Sequence, residues 1–384
     1  MLYFLLRWLN QEFDPPGFDV FQFITVRATL AAGTALLIGI FGGKRIIIRL
    51  RRQQLRETVR EGDDAGVVSH AHKRGTATMG GVIILLALGG ATLLWGDLTN
   101  RYVWLALVAT LWMGAVGFAD DYIKVVKKNK EGIAARVKLA GQMALGLLVS
   151  LTLLLDERLD GIHTVTSLPF FPNGTFDYAV LTAWTGLALA PLVYGLAVTF
   201  ILTGVSNAVN LTDGLDGLTT GTAAFVSIGL IAMVYITGNA IAADFVNDLY
   251  VRDTGELTVF AAALAAACFG FLWYNGYPAQ VFMGDTGSLA LGAAIGTLAI
   301  LIKKELYLPV LCGVFFAETL SVIVQTAWFK YTKRRYGEGR RVYRMAPLHH
   351  HYEALGVHES KIVIRFWIVT ALLVILTLFL LRIR

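Results

Sequence analysis

Residues 257–274 read LTVFAAALAAACFGFLWY, an apolar run of eighteen residues without a charged side chain. A helix that crosses the hydrocarbon core of a bilayer needs about 20 predominantly apolar residues. Gly and Ala are frequent in this run, and small residues allow helices to pack closely within lipid. The run therefore predicts a transmembrane helix, and the same pattern decides the fold of the whole chain.

Similar runs recur along the 384 residues, of which 56% are hydrophobic and 16% are charged. Soluble domains carry about 25% charged residues, so this composition disfavours the soluble class. We expect an all-α, polytopic integral membrane protein with about ten transmembrane helices, organised as a single domain over residues 1–384. The predicted spans are about 21–43, 78–96, 102–120, 137–155, 180–207, 217–237, 257–274, 288–303, 306–330 and 361–382.

Basic residues are distributed unevenly between the two sides that ten spans would define. Most of the 33 Lys and Arg residues lie on or beside five loops of one side, at about 44–77, 121–136, 208–216, 275–287 and 331–360. The positive-inside rule makes these loops cytoplasmic and both termini external. This topology accounts for the net charge of +6, and we expect no nucleic-acid partner.

Chemically distinctive residues occur on the same five loops. Acids, amides, Lys and His that converge on one face from distant loops indicate a common site rather than independent turns. The loops of the other side contain nothing comparable. The strings are KRGTAT at 73–78, DD at 120–121, NAVNLTDGLDG at 207–217, FMGDTGS at 282–288 and APLHHHYE at 346–353.

Two strings place carboxylates at the membrane edge. Asp120 and Asp121 close the third run, where acids oppose the helix dipole and are either solvated or functional. Mg²⁺ typically takes one or two carboxylates with phosphate oxygens and water, so this pair is a candidate for metal or phosphate chemistry. Asp285, just ahead of the eighth run, is either an ordinary helix cap or an acid that meets phosphate through a cation.

Two further strings carry amides and imidazoles. Asn207, Asn210, Asp213 and Asp216 recur every three residues, which places neighbours on adjoining parts of a helical face. The alternative is an Asn/Asp/Gly turn between two helices. The triple His at 349–351 is too tightly spaced for an ordinary Zn²⁺ site. Its imidazoles are suited to bind a diphosphate or to act as general acids, unless they form a surface run without a role.

Together these strings resemble the polyprenyl-phosphate N-acetylhexosamine-1-phosphate transferase superfamily, from Lys73 to Glu353. The triple His preceded by Ala346 and Pro347 looks like its phospho-N-acetylmuramoyl-pentapeptide transferase family, although Ala77 stands where that family often has Pro. The resemblance implies Mg²⁺-dependent transfer of phospho-N-acetylmuramoyl-pentapeptide from UDP to undecaprenyl phosphate. The products are lipid I and UMP, in the first membrane step of peptidoglycan synthesis. It also implies a homodimer in the bacterial plasma (inner) membrane, with its active site facing the cytoplasm.

The resemblance also implies roles for individual residues. Asp285 resembles the Mg²⁺ ligand, and Phe282 looks like a ring that stacks on uracil. The implied catalytic residues are Asp120, Asp121, Lys138, Asp213, His349, His350 and His351. The implied substrate-binding residues are Lys73, Thr78, Asn207, Asn210, Gly214, Leu215, Asp216, Asn275, Phe282, Ser288 and Gln325.

Alternatives remain open for the function and for the chemistry. A related enzyme would use UDP-N-acetylglucosamine as its donor. An ion-coupled transporter would carry its acids in mid-span, whereas here they cluster at predicted cytoplasmic ends. In the reaction, an Asp could attack the donor and form a phospho-sugar enzyme, or the lipid phosphate could attack directly. A phosphate monoester has a second pKa of about 6 and is largely ionised at neutral pH, which favours direct attack.

Overall fold

The structure is a computed structural model that describes residues 1–52, 75–129, 131–171, 174–183 and 189–382. Helices dominate these residues, so the predicted all-α class is confirmed. The helices are α1 (Leu2–Phe13), α2 (Ile24–Leu37), α3 (Gly43–Arg52), α4 (Gly81–Trp95), α5 (Arg101–Val125), α6 (Ala135–Leu154), α7 (Ala190–Thr212), α8 (Leu218–Thr237), α9 (Ala240–Phe245), α10 (Leu257–Asn275), α11 (Gly284–Leu301), α12 (Leu308–Leu311), α13 (Gly313–Tyr336), α14 (Leu348–Ala354) and α15 (Glu359–Arg382).

Among the described residues, eight helical segments are long and apolar enough to cross a bilayer. One of them joins α2 to α3 through a wide helical turn at Ile38–Gly42. The bent pair α12–α13 would make a ninth, and α4 is apolar but has only 15 residues. The polytopic membrane class is confirmed. The number ten, the external termini and the single-domain organisation remain predictions.

Helices α10 and α11 form the buried centre of the bundle. Helix α10 packs against α2, α4 and α8, while α11 packs against α5 and α7. A Cβ on Gly292 of α11 would lie 2.5 Å from the Cα of Ser206 on α7. One on Gly39 would lie 2.9 Å from the Cα of Gly270 on α10. Small residues thus let these backbones touch, as expected for helices that associate in lipid.

Several predicted spans have different bounds in the structure. The first, predicted at 21–43, continues as helix to Arg52 and takes up the start of the loop predicted at 44–77. Two others differ for local reasons. The span predicted at 180–207 corresponds to α7, which begins at Ala190, where a proline in the first turn has the fixed φ that suits a helix start. The span predicted at 306–330 is divided at Cys312 into α12 and α13, which are bent by 80°. At this break a Cβ on Gly313 would lie 2.9 Å from Leu373, so α15 packs tightly against the bend.

Helix α11 runs between two polar clusters. The Asp285 end comprises the C-terminal ends of α5 and α7, the start of α11 and the segment around α14. The hairpin end comprises the Lys303–Lys304 turn after α11 and two antiparallel strands, β1 (Val165–Ser167) and β2 (Thr175–Asp177), in which Thr166 pairs with Phe176. The chemically distinctive strings that the structure describes all lie at the Asp285 end.

Candidate active site

Helices α5 and α11 meet at the Asp285 end at a separation that only glycine permits. A Cβ on Gly117 of α5 would lie 2.1 Å from the carbonyl oxygen of Asp285 and 2.7 Å from the backbone nitrogen of Thr286. This approach brings the end of α5, which carries Asp120 and Asp121, against the first turn of α11. Acids from two distant parts of the chain therefore lie side by side.

Asp121 caps the N-terminus of α11. Its carboxylate accepts hydrogen bonds from the backbone N–H groups of Asp285 and Thr286, at 3.1 and 2.9 Å, and from the Thr286 hydroxyl at 2.6 Å. The first N–H groups of a helix have no partner within it, and a carboxylate there also complements the helix dipole. Both oxygens of this buried acid are engaged, so Asp121 fixes the start of α11.

Asp120 and Asp285 share two lysine ammonium groups. Lys138 Nζ lies 2.8 Å from Asp120 Oδ2 and 2.6 Å from Asp285 Oδ2. Lys124 Nζ pairs with the same two oxygens, at 3.1 Å from that of Asp285. The Asp120 side chain is fully buried, whereas 17% of Asp285 and 24% of Lys138 remain exposed. This cluster is therefore accessible from one side.

Asn210 extends the acid cluster along α7. Its Nδ2 donates hydrogen bonds to Asp285 Oδ1 at 2.9 Å and to Ser288 Oγ at 2.8 Å. Asn207, one turn earlier, exchanges two hydrogen bonds with Gln142 of α6, at 3.0 and 3.3 Å. The predicted polar face of α7 is thus divided between the acid cluster and a link between two helices.

Asp120, Asp121 and Asp285 are the one group of three potential metal ligands within the described ranges. One carboxylate oxygen from each lies within 4.8 Å of the others. An all-oxygen donor set suits a hard cation such as Mg²⁺. Both oxygens of Asp121 hold the start of α11, whereas Asp120 and Asp285 each have one oxygen that is paired with two lysine ammonium groups, which a divalent cation can replace. Asp120 and Asp285 are therefore the acids best placed to hold a divalent cation.

Asp216 and Asn275 brace the loop that leads to α11. Asp216 Oδ2 accepts the backbone N–H of Ala279 at 2.9 Å, and its own N–H donates to Glu359 at 2.7 Å. Asn275 Nδ2 donates to the carbonyl of Val281 at 3.0 Å. Both side chains are buried, so they shape the loop at 276–283 through its backbone.

The segment before α4 pairs with the same loop. The N–H of Phe282 donates to the carbonyl of Ala77, and the N–H of Gly80 donates to the carbonyl of Phe282, both at 2.8 Å. The Phe282 residue is half-buried, and Thr78 is buried in the paired segment. Lys73, predicted to bind substrate from this part of the chain, lies outside the described residues.

His349 is buried at the start of α14, between Glu318 of α13 and Gly214. Its backbone N–H and its Nδ1 lie 3.2 and 3.1 Å from the Glu318 carboxylate oxygens. Its Nε2 has no hydrogen-bond partner among the described residues, and a Cβ on Gly214 would lie 2.2 Å from it. Burial lowers the pKa of His349, which favours the neutral imidazole.

The other two histidines have local partners. His350 Nδ1 lies 2.7 Å from Glu353 Oε2, and His351 Nδ1 accepts a backbone N–H bond from the segment before α14 at 3.1 Å. Gln325 of α13 accepts two backbone N–H bonds from residues 342–343, at 2.9 and 3.0 Å. Gln325 therefore positions the segment that carries the histidines.

Most of the predicted site residues that the structure describes fall into three groups, and Asp213 follows α7 as the residue that ends it. The acid cluster contains Asp120, Asp121, Lys138, Asn210, Asp285 and Ser288. The loop before α11 is formed and held by Thr78, Asp216, Asn275 and Phe282, while Leu215 is buried in a small apolar cluster with Leu218, Ile362 and Val363. The histidine group contains Gly214, Gln325, His349, His350 and His351. Asn207 contacts none of these groups through the hydrogen bonds described above.

The structure adds three polar residues that were not among the predicted site residues. Lys124 follows Asp120 by four residues, a spacing that places both on one helical face and was available in the sequence. Glu318 lies within the predicted span 306–330, and an acid inside a membrane segment is itself a functional signal. Glu359 binds the backbone of Asp216 across a long sequence separation and has no local signal.

Comparison with known proteins identifies the class first. Residues 103–303 match the family model described as glycosyl transferase family 4. A protein of Salinibacter ruber named phospho-N-acetylmuramoyl-pentapeptide-transferase is 60% identical over the full length of both chains. Proteins of the same name from Flavobacterium psychrophilum and Chlorobium phaeobacteroides are 47% and 48% identical, again over both full lengths. The chain belongs to the phospho-N-acetylmuramoyl-pentapeptide-transferase family.

Proposed function

We propose that this protein transfers phospho-N-acetylmuramoyl-pentapeptide from its UDP-linked donor to undecaprenyl phosphate, with Mg²⁺, and releases lipid I and UMP. The observation that carries the proposal is the acid cluster, in which Asp120 and Asp285 share two ammonium groups at the start of a buried helix. Family membership supplies the substrate class, and the cluster supplies groups suited to diphosphate chemistry.

The charges of the cluster support binding of both a divalent cation and a diphosphate. When ionised, three carboxylates face two ammonium groups, so the cluster is net negative and attracts a cation. Mg²⁺ would be held by Asp285 and Asp120, and when bound it would neutralise charge on the diphosphate oxygens. Lys124 and Lys138 contact the same two carboxylates, so they are positioned to stabilise charge on the departing UMP.

We favour direct attack by the lipid phosphate over a phospho-sugar enzyme. Asp121 already accepts three hydrogen bonds that hold α11, which makes it a poor nucleophile. Asp120 Oδ1 accepts the backbone N–H of Ile133 at 2.6 Å, and its Oδ2 is paired with both lysines. The acceptor phosphate is already largely ionised at neutral pH and needs little help from a base.

The nucleoside end of the donor has a separate candidate location, the loop at 276–283. Its backbone is held by Asp216, Asn275 and the segment at 77–80, which leaves the half-buried Phe282 ring as a rigidly mounted aromatic face. Aromatic faces of this kind suit stacking on a flat base. The predicted cytoplasmic orientation and the homodimer belong to the same proposal, and the basic loops at this end support the orientation.

The test uses purified protein with Mg²⁺ and each of two donors, UDP-N-acetylmuramoyl-pentapeptide and UDP-N-acetylglucosamine. With undecaprenyl phosphate present, we expect UMP and a lipid-linked product from the first donor alone. Product from the second donor instead would assign the protein to the alternative transferase activity. Chelation of Mg²⁺ should stop turnover, and its restoration by added Mg²⁺ controls for irreversible damage.

Omission of the lipid acceptor separates the two mechanisms. Direct attack predicts that no UMP appears without undecaprenyl phosphate. A burst of UMP equal to the amount of enzyme, with labelled sugar retained on Asp120 or Asp121, would instead establish a covalent intermediate. A parallel reaction with the Asp120→Asn variant distinguishes such a burst from slow hydrolysis of the donor.

A further inference from the structure

Helix α15 carries a guanidinium on its exposed side. Trp367 faces the bundle, where its Nε1 donates to the carbonyl of Gly217 at 3.3 Å. Arg365 lies on the opposite, exposed side and has no hydrogen-bond or ion-pair partner within the described part of the chain. In a membrane protein, an exposed and largely apolar side of a helix is suited to contact lipid. It also carries the apolar residues Ile364, Ile368, Leu372, Ile375 and Phe379.

A groove between α14 and α15 adjoins this guanidinium. Its volume is about 380 Å³, which lies in the range of small-molecule sites. Apart from Arg365 and the Tyr352 hydroxyl, the side chains that line it are apolar: Ile362, Phe366, Ile368 and Val369. None of the residues of the acid cluster lines it. The groove is therefore a separate feature from the diphosphate chemistry proposed above.

We infer that this groove binds an anionic phosphoglycerolipid, with the lipid phosphate on Arg365 and an acyl chain along Ile368 and Val369. Arg365 is six residues into α15, so it lies about 9 Å along the helix axis from Glu359. A long side chain at that depth reaches the headgroup layer, and an unpaired cation in hydrocarbon is costly. The planar guanidinium can bind two phosphate oxygens at once.

A lipid bound in this groove would also contact α14, the short helix that carries the three histidines. Tyr352 of α14 lines the groove and packs edge-on against Phe366 of α15, with ring centroids 6.3 Å apart. Its ring is 5.7 Å from that of His351, which belongs to the same short helix as His349. A bound lipid therefore stabilises α14 against α15. This consequence for activity rests on the proposed function, whereas the binding does not.

Native mass spectrometry of the purified full-length protein tests the binding directly. The probes are phosphatidylglycerol, which is anionic, and phosphatidylcholine of matched acyl chains, which is neutral overall. We expect the protein to retain one phosphatidylglycerol more tightly than phosphatidylcholine, and Arg365→Gln to weaken that retention about tenfold. The matched control is Arg252→Gln, an exposed arginine at the hairpin end, which should retain the lipid as the unmodified protein does.

A second variant tests the groove without changing its charge. Val369→Trp fills the apolar part and should also reduce phosphatidylglycerol retention, because the acyl chain loses its place. Equal retention of the two lipids, or unchanged retention in both variants, would overturn the inference. So would stoichiometric displacement of the lipid by undecaprenyl phosphate, which would make the groove an acceptor site. These experiments measure bound lipid and require no turnover. Their outcome is therefore valid even if the proposed function is wrong.

Discussion

The two ends of α11 both hold lysine–aspartate pairs, but they differ in access. At the hairpin end, Lys304 pairs with Asp248, and both side chains are fully buried. At the Asp285 end, Lys138 pairs with Asp285, and 24% and 17% of these side chains remain exposed. Pairs of the same residue types are therefore fully buried at the hairpin end (the sealed end) and accessible to a ligand at the Asp285 end (the open end).

At the hairpin end, the two lysines after α11 are buried against the β-hairpin and the residues beside it. Lys304 Nζ also donates to the hydroxyl of Ser167 on β1 at 2.6 Å. Lys303 Nζ donates to the carbonyl of His163 at 2.6 Å and to the Tyr194 hydroxyl at 2.9 Å. The buried Lys304–Asp248 pair stabilises a single arrangement of its side chains. The partly exposed cluster around Asp285 can instead exchange a side-chain contact for a contact with substrate. We expect mutations at the sealed end to affect stability and those at the open end to affect turnover.

The largest expected effect is that of Asp285→Asn. The amide keeps the shape but removes the charge shared by Lys124 and Lys138 and a candidate ligand for Mg²⁺. Loss of a main electrostatic contact at a reacting centre typically costs about 10² to 10³ in rate. Turnover with UDP-N-acetylmuramoyl-pentapeptide and undecaprenyl phosphate at saturating Mg²⁺ measures it. Near-normal turnover would remove Asp285 from the proposed site.

The sealed end provides the second prediction, Lys304→Met. Removing one partner of a buried pair typically costs about 3 to 5 kcal/mol, because Asp248 would be left without its ammonium partner. We expect a lower thermal unfolding midpoint in detergent and normal turnover per folded molecule. The double variant Lys304→Met with Asp248→Leu should recover much of the midpoint. A loss of turnover without a loss of stability would contradict the division between the two ends.

The sequence predicts the membrane class because uncharged apolar runs of this length are typical of helices that span a bilayer. The 257–274 run corresponds to α10, Leu257–Asn275, almost residue for residue. The bounds predicted for the runs at 180–207 and 306–330 were less accurate. Hydropathy alone reveals neither the helix start beside Pro191 nor the bend at Cys312. Such features depend on local backbone geometry and on packing against neighbouring helices.

For the candidate site, the sequence indicates which residues converge but not what each contacts. Asp120 and Asp121 are adjacent and look equivalent in the chain. In the structure one shares two lysines with Asp285, while the other caps α11, because successive residues on a helix point in different directions. The Glu318–His349 contact was not anticipated, since it joins α13 to α14 between residues that are 31 positions apart in the sequence.

The close approach of α5 to α11 gives the third prediction, Gly117→Ala. Its Cβ would lie 2.1 Å from the carbonyl oxygen of Asp285, so the helices must separate. Overpacking of this kind costs about 1 to 3 kcal/mol, and here it also displaces the acid cluster. We expect lower turnover and a weaker apparent affinity for Mg²⁺. The control is Gly89→Ala on α4, where no atom lies within 4 Å and both quantities should be unchanged.

The smallest expected effect concerns the buried His349 at the open end. Burial lowers its pKa in the folded protein, so the unfolded chain binds a proton first as the pH falls. Unfolding then becomes easier below the ordinary histidine range, by at most about 1.4 kcal/mol per pH unit. Thermal unfolding midpoints between pH 5 and 8 measure this slope.

Two substitutions isolate the contribution of this imidazole. His349→Gln should flatten the acid side of the stability profile, because the group that binds the proton is gone. His358→Gln changes an exposed histidine that contacts Ser360 and should leave the profile as it is. If both variants keep the original slope, the His349 imidazole binds its proton at the same pH in the folded and unfolded chains, and burial does not shape the profile. If the unmodified protein instead gains stability as the pH falls through the histidine range and His349→Gln removes that gain, the imidazole is charged when folded. Its contact with Glu318 is then a buried ion pair like that of Lys304 and Asp248, and the contrast between the two ends of α11 does not extend to the histidine group.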